Sequence, residues 1–133
     1  MAMFFRYGLM ILGMFYLVNA GWMVCAPHDW YLATPGVVAT GPFNPHFVRD
    51  IGLAFLASGA MLLAGARGSG RAMLALAGAA WPALHGLFHI WEWIADGFPA
   101  APAVAATELF GVVGAAVLGL WFAVAQARQE GVI

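Results

Sequence analysis

Two histidines and a glutamate share one stripe of an otherwise apolar stretch. His85, His89 and Glu92 stand at positions i, i+4 and i+7 within residues 81–93, so a helix places their side chains on one face. At about 1.5 Å per residue, His89 lies roughly 7 Å and His85 roughly 14 Å inward from Ile94. Imidazoles combined with carboxylates suit Fe, Zn and Mn, and imidazoles also suit Cu. The spacing therefore predicts a transition-metal site in this stretch.

Two other apolar stretches offer ligands at a similar depth. Asp50 follows His46 by one helical turn, and Glu108 lies near the start of the last stretch. Ionisable side chains inside a membrane cost about 2.5–3.5 kcal/mol each and usually face the bundle interior. We therefore predict that three segments converge on one metal centre, although the Glu-x-x-His pattern of di-iron bundles is absent. The candidate ligands are His85, His89, Asp50, Glu108, His46 and Glu92.

Each of these residues also has an explanation without a metal. The two central histidines can be neutral imidazoles bonded to backbone or carboxylates, or they can relay protons. His46 and Asp50 can stabilise a helix start, where acids are favoured. Glu92 can be a solvent-exposed side chain at the surface. Arg49 can pair with an acid, extend toward water or bind an anionic ligand. Haem would need a second segment such as His46, because residues one turn apart on one helix cannot both be axial ligands.

A second class of function is the binding or transport of a small molecule. Trp91 and Trp93, together with Phe88 and the acids, would line a cavity that accepts a quinone, a lipid or a small cation, and Arg49 would contact its polar group. A continuous channel is disfavoured, because the other half of each apolar stretch has almost no polar residues. A third class is an accessory subunit that packs on a larger membrane complex or on another copy of the chain.

The composition excludes several classes of protein. The 133 residues are 64% hydrophobic and 8% charged, with a mean hydropathy of +0.88, whereas soluble domains carry about 25% charged residues. The net charge is −1 and there is one cysteine. A water-facing globule, a nucleic-acid binder and a disulfide framework are therefore all excluded.

Four stretches reach the roughly 20 apolar residues that a membrane helix needs. They are residues 4–23, 47–66, 72–94 and 104–127, and the loops predicted between them, residues 27–46, 67–71 and 95–103, contain Pro, Gly or both. The first stretch resembles a signal peptide, since Arg6 precedes an apolar run, but its length favours a retained helix. We predict an all-α, up-down four-helix bundle that forms one domain over residues 1–133.

The arginines predict how the bundle sits in the membrane. Arg6, Arg67, Arg71 and Arg128 fall on one side of a four-span protein, and only Arg49 falls on the other. Positive residues stay cytoplasmic, so both termini should be cytoplasmic. We therefore predict a multi-pass protein of the bacterial inner membrane, with its histidines and candidate ligands toward the periplasm.

The segment 41–52, Gly-Pro-Phe-Asn-Pro-His-Phe-Val-Arg-Asp-Ile-Gly, follows a first helix and precedes three more spans. Together with the third-span histidine pair, this arrangement resembles a class of small bacterial four-helix inner-membrane proteins similar to the DoxX-like group. The resemblance implies a membrane oxidoreductase, or a subunit of one, linked to quinone electron transfer. It supplies no catalytic residues, because no established set matches these positions.

Overall fold

The computed structural model describes residues 2–133, which form helices joined by short loops. No strand occurs in this described part of the chain, which confirms the predicted all-α class. The elements are α1 (Ala2–Cys25), α2 (Pro27–Ala33), a 3-10 turn (Val37–Thr40), α3 (Pro45–Ala66), α4 (Ala72–Asp96), α5 (Pro102–Ala106), a π-helical segment (Thr107–Gly114) and α6 (Ala115–Gln129).

Four helical stretches are long and apolar enough to cross a membrane, and each contains one predicted span. Only 28–33% of the most apolar part of each stretch is buried, and exposed side chains such as Ile11, Leu84 and Ile94 cover the outside. An apolar exterior of this extent suits lipid rather than water. The chain is therefore a multi-pass integral membrane protein. The four stretches are Met3–Cys25, Pro45–Ala66, Ala72–Asp96 and Pro102–Gln129.

The four long stretches close into a ring. α1 packs on α3, α3 on α4, α4 on α6, and α6 on α1, which confirms the four-helix bundle. Small residues allow close approach, as in lipid-embedded bundles generally: a Cβ atom built on Gly59 would lie 2.8 Å from the carbonyl oxygen of Gly13. We call the end with both termini and the α3–α4 turn the terminal end. The opposite end, with segments 26–44 and 97–101, is the loop end.

Two segments differ from the sequence expectation. Residues 27–46 were expected to form a loop, but they contain α2 and the 3-10 turn, because Pro27 suits a first helical turn and Gly36 adopts φ 91°. The fourth span was expected to be an α-helix throughout, but its residues Thr107–Gly114 form a π-helix, whose turns are wider than those of an α-helix. Such segments are rare and are often found at functional sites.

Asn44 fixes the start of α3 at the loop end. Its side-chain oxygen accepts hydrogen bonds from the backbone N–H groups of His46 (3.1 Å) and Phe47 (3.2 Å). Pro45 occupies the first helical position, where no N–H partner is needed. The cap therefore sets the register from which His46 and Asp50 project.

Glu130 joins three helices at the terminal end. Its Oε2 atom accepts a hydrogen bond from the N–H of Ala72 at the start of α4, and its Oε1 atom accepts one from Gln126 Nε2 (both 2.9 Å). Gln126 Nε2 also donates to the Gly65 carbonyl oxygen on α3 (3.0 Å). Desolvation by burial raises the pKa of Glu130, but the hydrogen bonds together with nearby Arg6 outweigh it and hold that pKa below its usual range.

Glu130→Ala is expected to lower the stability of the bundle by about 1 kcal/mol at neutral pH, because the N-cap residue Arg71 offers α4 no side-chain acceptor. A carboxylate whose folded pKa is depressed stabilises the fold above its unfolded pKa, near 4.3, and loses that effect as pH falls through its folded pKa. Thermal unfolding in detergent should therefore show a difference from wild type that shrinks below about pH 4. A difference that does not change with pH would exclude this role for the charge.

Candidate functional site

A cavity of about 1160 Å³ occupies the loop end of the bundle. Its walls come from α1, α3, α4 and the π-helical segment, and residues 34–44 form its roof. Most of the lining is apolar or aromatic. The His, Asp and Glu side chains on it are His85, His89, Glu92, Asp96 and Glu108.

The predicted histidine stripe lies on the α4 wall of this cavity. The rings of His85 and His89 meet edge to face with centroids 4.8 Å apart. Trp81 stacks on His85 at 5.8 Å with only 10° between the ring planes, and Phe55 of α3 meets the same imidazole edge-on at 5.9 Å. The side chain of His89 is only 17% exposed. Both imidazoles therefore line the interior of the bundle.

Glu108 approaches this stripe from the π-helical segment. Its Oε2 atom lies 3.7 Å from His89 Nδ1, and Glu92 Oε2 lies 3.5 Å from the same nitrogen. Trp93 Nε1 donates a hydrogen bond to Glu108 Oε2 at 2.6 Å. Trp93 therefore holds this carboxylate beside the imidazole, a contact that sequence spacing does not reveal because it crosses between helices.

Two nitrogen atoms of cavity-lining residues are buried without a hydrogen-bond partner. They are Trp81 Nε1 and His89 Nδ1. An indole N–H can only donate, and the distances from His89 to the carboxylates are too long for well-formed hydrogen bonds. An unpaired buried polar group costs about 1–3 kcal/mol.

Asp50 and His46 lie away from the histidine stripe. The two side chains are 54% and 87% exposed, they approach each other at 3.5 Å, and neither lines the cavity. The polar centre thus draws on α4 and the π-helical segment, whereas the sequence predicted a third contribution from α3. Among residues 2–133, no group of three or more His, Cys, Asp or Glu side chains has the arrangement needed to hold a metal ion.

Of the three residues predicted to contact a cofactor, one lines the cavity. Trp93 lies on its wall, whereas Trp91 is 59% exposed and packs beside Phe88, with ring centroids 5.9 Å apart. Arg49 is outside the lining, and its Nε atom donates to the carbonyl oxygen of Val24 at 3.2 Å. This contact joins α3 to α1 and leaves the cavity without a cationic arginine.

Sequence reasoning missed the roof of the cavity. Trp30 Nε1 donates to the side-chain oxygen of Asn19 (2.9 Å), and the Tyr31 hydroxyl donates to the Gly41 carbonyl oxygen (2.8 Å). These bonds tie α2 to α1 and to the segment before α3. Beyond Arg6, Asn19 is the single strongly polar residue of the first span, and that isolation was the available signal for an anchoring role.

No protein-family model matches the chain, and no curated protein or solved structure shows significant similarity to it. What the protein does is therefore inferred from the cavity itself.

Proposed function

We propose that this membrane protein binds a membrane-soluble ring compound of the quinone class in the loop-end cavity. The observation that carries the proposal is a large, mainly apolar cavity with the imidazole of His85 on its wall, stacked on Trp81. Sites for small molecules are mostly apolar, measure about 300–1,000 Å³ and contain a few convergent polar groups. A cavity of about 1160 Å³ has room for a ring and the first part of a tail.

The polar atoms on the wall match the chemistry of a quinone head. Quinone carbonyl oxygens accept hydrogen bonds and donate none, which complements an imidazole N–H of His85. The aromatic rings around His85, namely Trp81 and Phe55, suit a planar ring, because aromatic pairs favour offset and edge-on contacts. The deep part of the cavity thus offers the imidazole of His85 inside an apolar surround.

Localisation and partners are part of the same proposal. The arginine distribution supports cytoplasmic termini, an inner-membrane location and a loop end that faces the periplasm. The resemblance to DoxX-like proteins supports a role in a membrane oxidoreductase, as one subunit of a larger complex or as a homo-oligomer. Binding of the ring compound is the part of this role that the cavity residues support.

A metal site is the second candidate. Ligands at about 2.1 Å from a tetrahedral ion stand roughly 3.4 Å apart, and His89 Nδ1 lies 3.5 and 3.7 Å from the oxygens of Glu92 and Glu108. These pairwise distances favour the candidate, but the described residues offer no complete three-ligand group. Fe, Zn or Cu would therefore require side chains to rearrange.

Titration with decyl-ubiquinone tests the proposed function. The protein, purified without chelator, should show saturable quenching of tryptophan fluorescence, with a Kd of about 1–10 µM, because Trp30, Trp81 and Trp93 line the cavity. Decylbenzene, which has a similar tail but no carbonyl acceptors, should bind at least tenfold more weakly. Elemental analysis of the same sample tests the second candidate. Near-stoichiometric metal without saturable quenching would replace the quinone proposal with the metal site.

A further inference from the structure

α3 and α4 approach each other closely in the halves nearest their connecting turn. A Cβ atom built on Gly65 would lie 2.8 Å from Ala75 Cβ, and one built on Gly78 would lie 2.7 Å from the backbone nitrogen of Leu62. Nearer the loop end, aromatic side chains lie between the two helices, and Phe55 meets Trp81 edge to face with ring centroids 6.4 Å apart. From there to the loop end, facing residues of both helices line the cavity.

Between the loop-end halves of α3 and α4, the cavity has an opening with an apolar rim. Phe47 of α3 and Leu84 and Phe88 of α4 all line the cavity, and they are 62%, 64% and 50% exposed. Leu84 is ten residues before Ile94, which places it about 15 Å into the helix from that end. The rim therefore reaches the depth of the hydrocarbon chains.

The roof, residues 34–44, lies at the loop end of the cavity. The Tyr31 hydroxyl, bonded to the Gly41 carbonyl oxygen, joins the roof to α2, and Trp30, bonded to Asn19, joins α2 to α1. Gly36 then lies against Val104 of α5, where a Cβ atom on the glycine would be 3.0 Å from a Val104 methyl carbon. These contacts hold the roof against α2 and α5 at the loop end.

We infer that the ligand enters the cavity sideways from the bilayer, through the opening bounded by Phe47, Leu84 and Phe88, which we call the portal. The inference rests on the proposed function and adds to it the architecture of the ligand. The polar ring lies among the donors of α4, and a hydrocarbon tail extends through the portal into lipid. This placement of an apolar tail has no free-energy cost, because the rim and the surrounding lipid are equally apolar.

Blocking the portal tests this inference. Cys25 is the chain's one cysteine and is exposed, so Cys25→Ser gives a background for single-cysteine variants. Leu84→Cys places a bulky maleimide label on the rim. Leu87→Cys is the matched control, because Leu87 is 60% exposed on the same helix but lies outside the loop-end cavity. Each variant is reconstituted in nanodiscs and mixed with decyl-ubiquinone before and after labelling.

Labelling at position 84 should slow the quenching of tryptophan fluorescence about tenfold, while labelling at position 87 should change the rate less than twofold. Equal rates in both labelled variants would overturn the portal and leave the proposed function intact. Absence of saturable quenching in the unlabelled Cys25→Ser protein would instead overturn the proposed function. If Leu84→Cys does not fold, Phe47→Cys places the label on the opposite rim, with the same two outcomes.

Discussion

Gly78→Ala should destabilise the bundle by about 1–3 kcal/mol or more, because the added methyl group has no space between α3 and α4. Its Cβ atom would lie 2.7 Å from the backbone nitrogen of Leu62 and 2.8 Å from the carbonyl oxygen of Ser58. Both atoms belong to the backbone of α3, so no side-chain rotation relieves the overlap. The two helices must separate where they are closest. Thermal unfolding in a single detergent measures the loss.

Gly21→Ala is the matched control for this substitution. Gly21 also lies inside a long helix, but a Cβ atom built on it meets nothing within 4 Å. Alanine there should be neutral or stabilising by up to about 1 kcal/mol, because it restricts the unfolded chain and suits a helix. Equal melting temperatures for Gly78→Ala and Gly21→Ala would contradict the close packing of α3 on α4.

His85→Phe should lower the affinity for decyl-ubiquinone about tenfold to a hundredfold. The new ring preserves an aromatic surface between Trp81 and Phe55, but it removes the imidazole donor. Loss of a hydrogen bond to a buried acceptor costs about 1–3 kcal/mol, and each 1.4 kcal/mol is about tenfold in affinity. Saturable quenching of tryptophan fluorescence provides the measurement.

The same change at His46 provides the control, since this side chain is 87% exposed and lies outside the cavity. His46→Phe should leave the affinity within about twofold of that of the wild type, because a substitution at a distant and independent site has little effect on binding. If the two variants bind equally well, the imidazole at position 85 makes no contact with the ring.

The spans and the histidine stripe were predictable because each depends on local sequence alone. Length and hydropathy determine which segments can cross lipid, and the spacing of residues 85, 89 and 92 determines their common face. The prediction that Asp50 joins them was not met, because spacing does not say which face of α3 points inward. Val48, Gly52 and Phe55 form the buried face, and two residues of helix turn Asp50 about 200° away from Val48.

Contacts between helices were the part that sequence could not supply. The hydrogen bond from Trp93 to Glu108 depends on how the π-helical segment meets α4. The anchoring of Trp30 to Asn19 depends on α2 folding back over α1. The hydropathy pattern predicts neither hydrogen bond, since it records the apolar surface but not the rotation or register of neighbouring helices.

The most direct test is to locate the bound ring by photolabelling. A benzoquinone with a ten-carbon tail and a diazirine on its ring is irradiated with the protein in nanodiscs, and the labelled peptides are identified by mass spectrometry. We expect labelling within residues 81–93 of α4 and beside Phe55 of α3, and excess decyl-ubiquinone should suppress it. Labelling confined to outward-facing residues such as Ile11 and Ile94, unaffected by the competitor, would contradict a quinone-binding cavity.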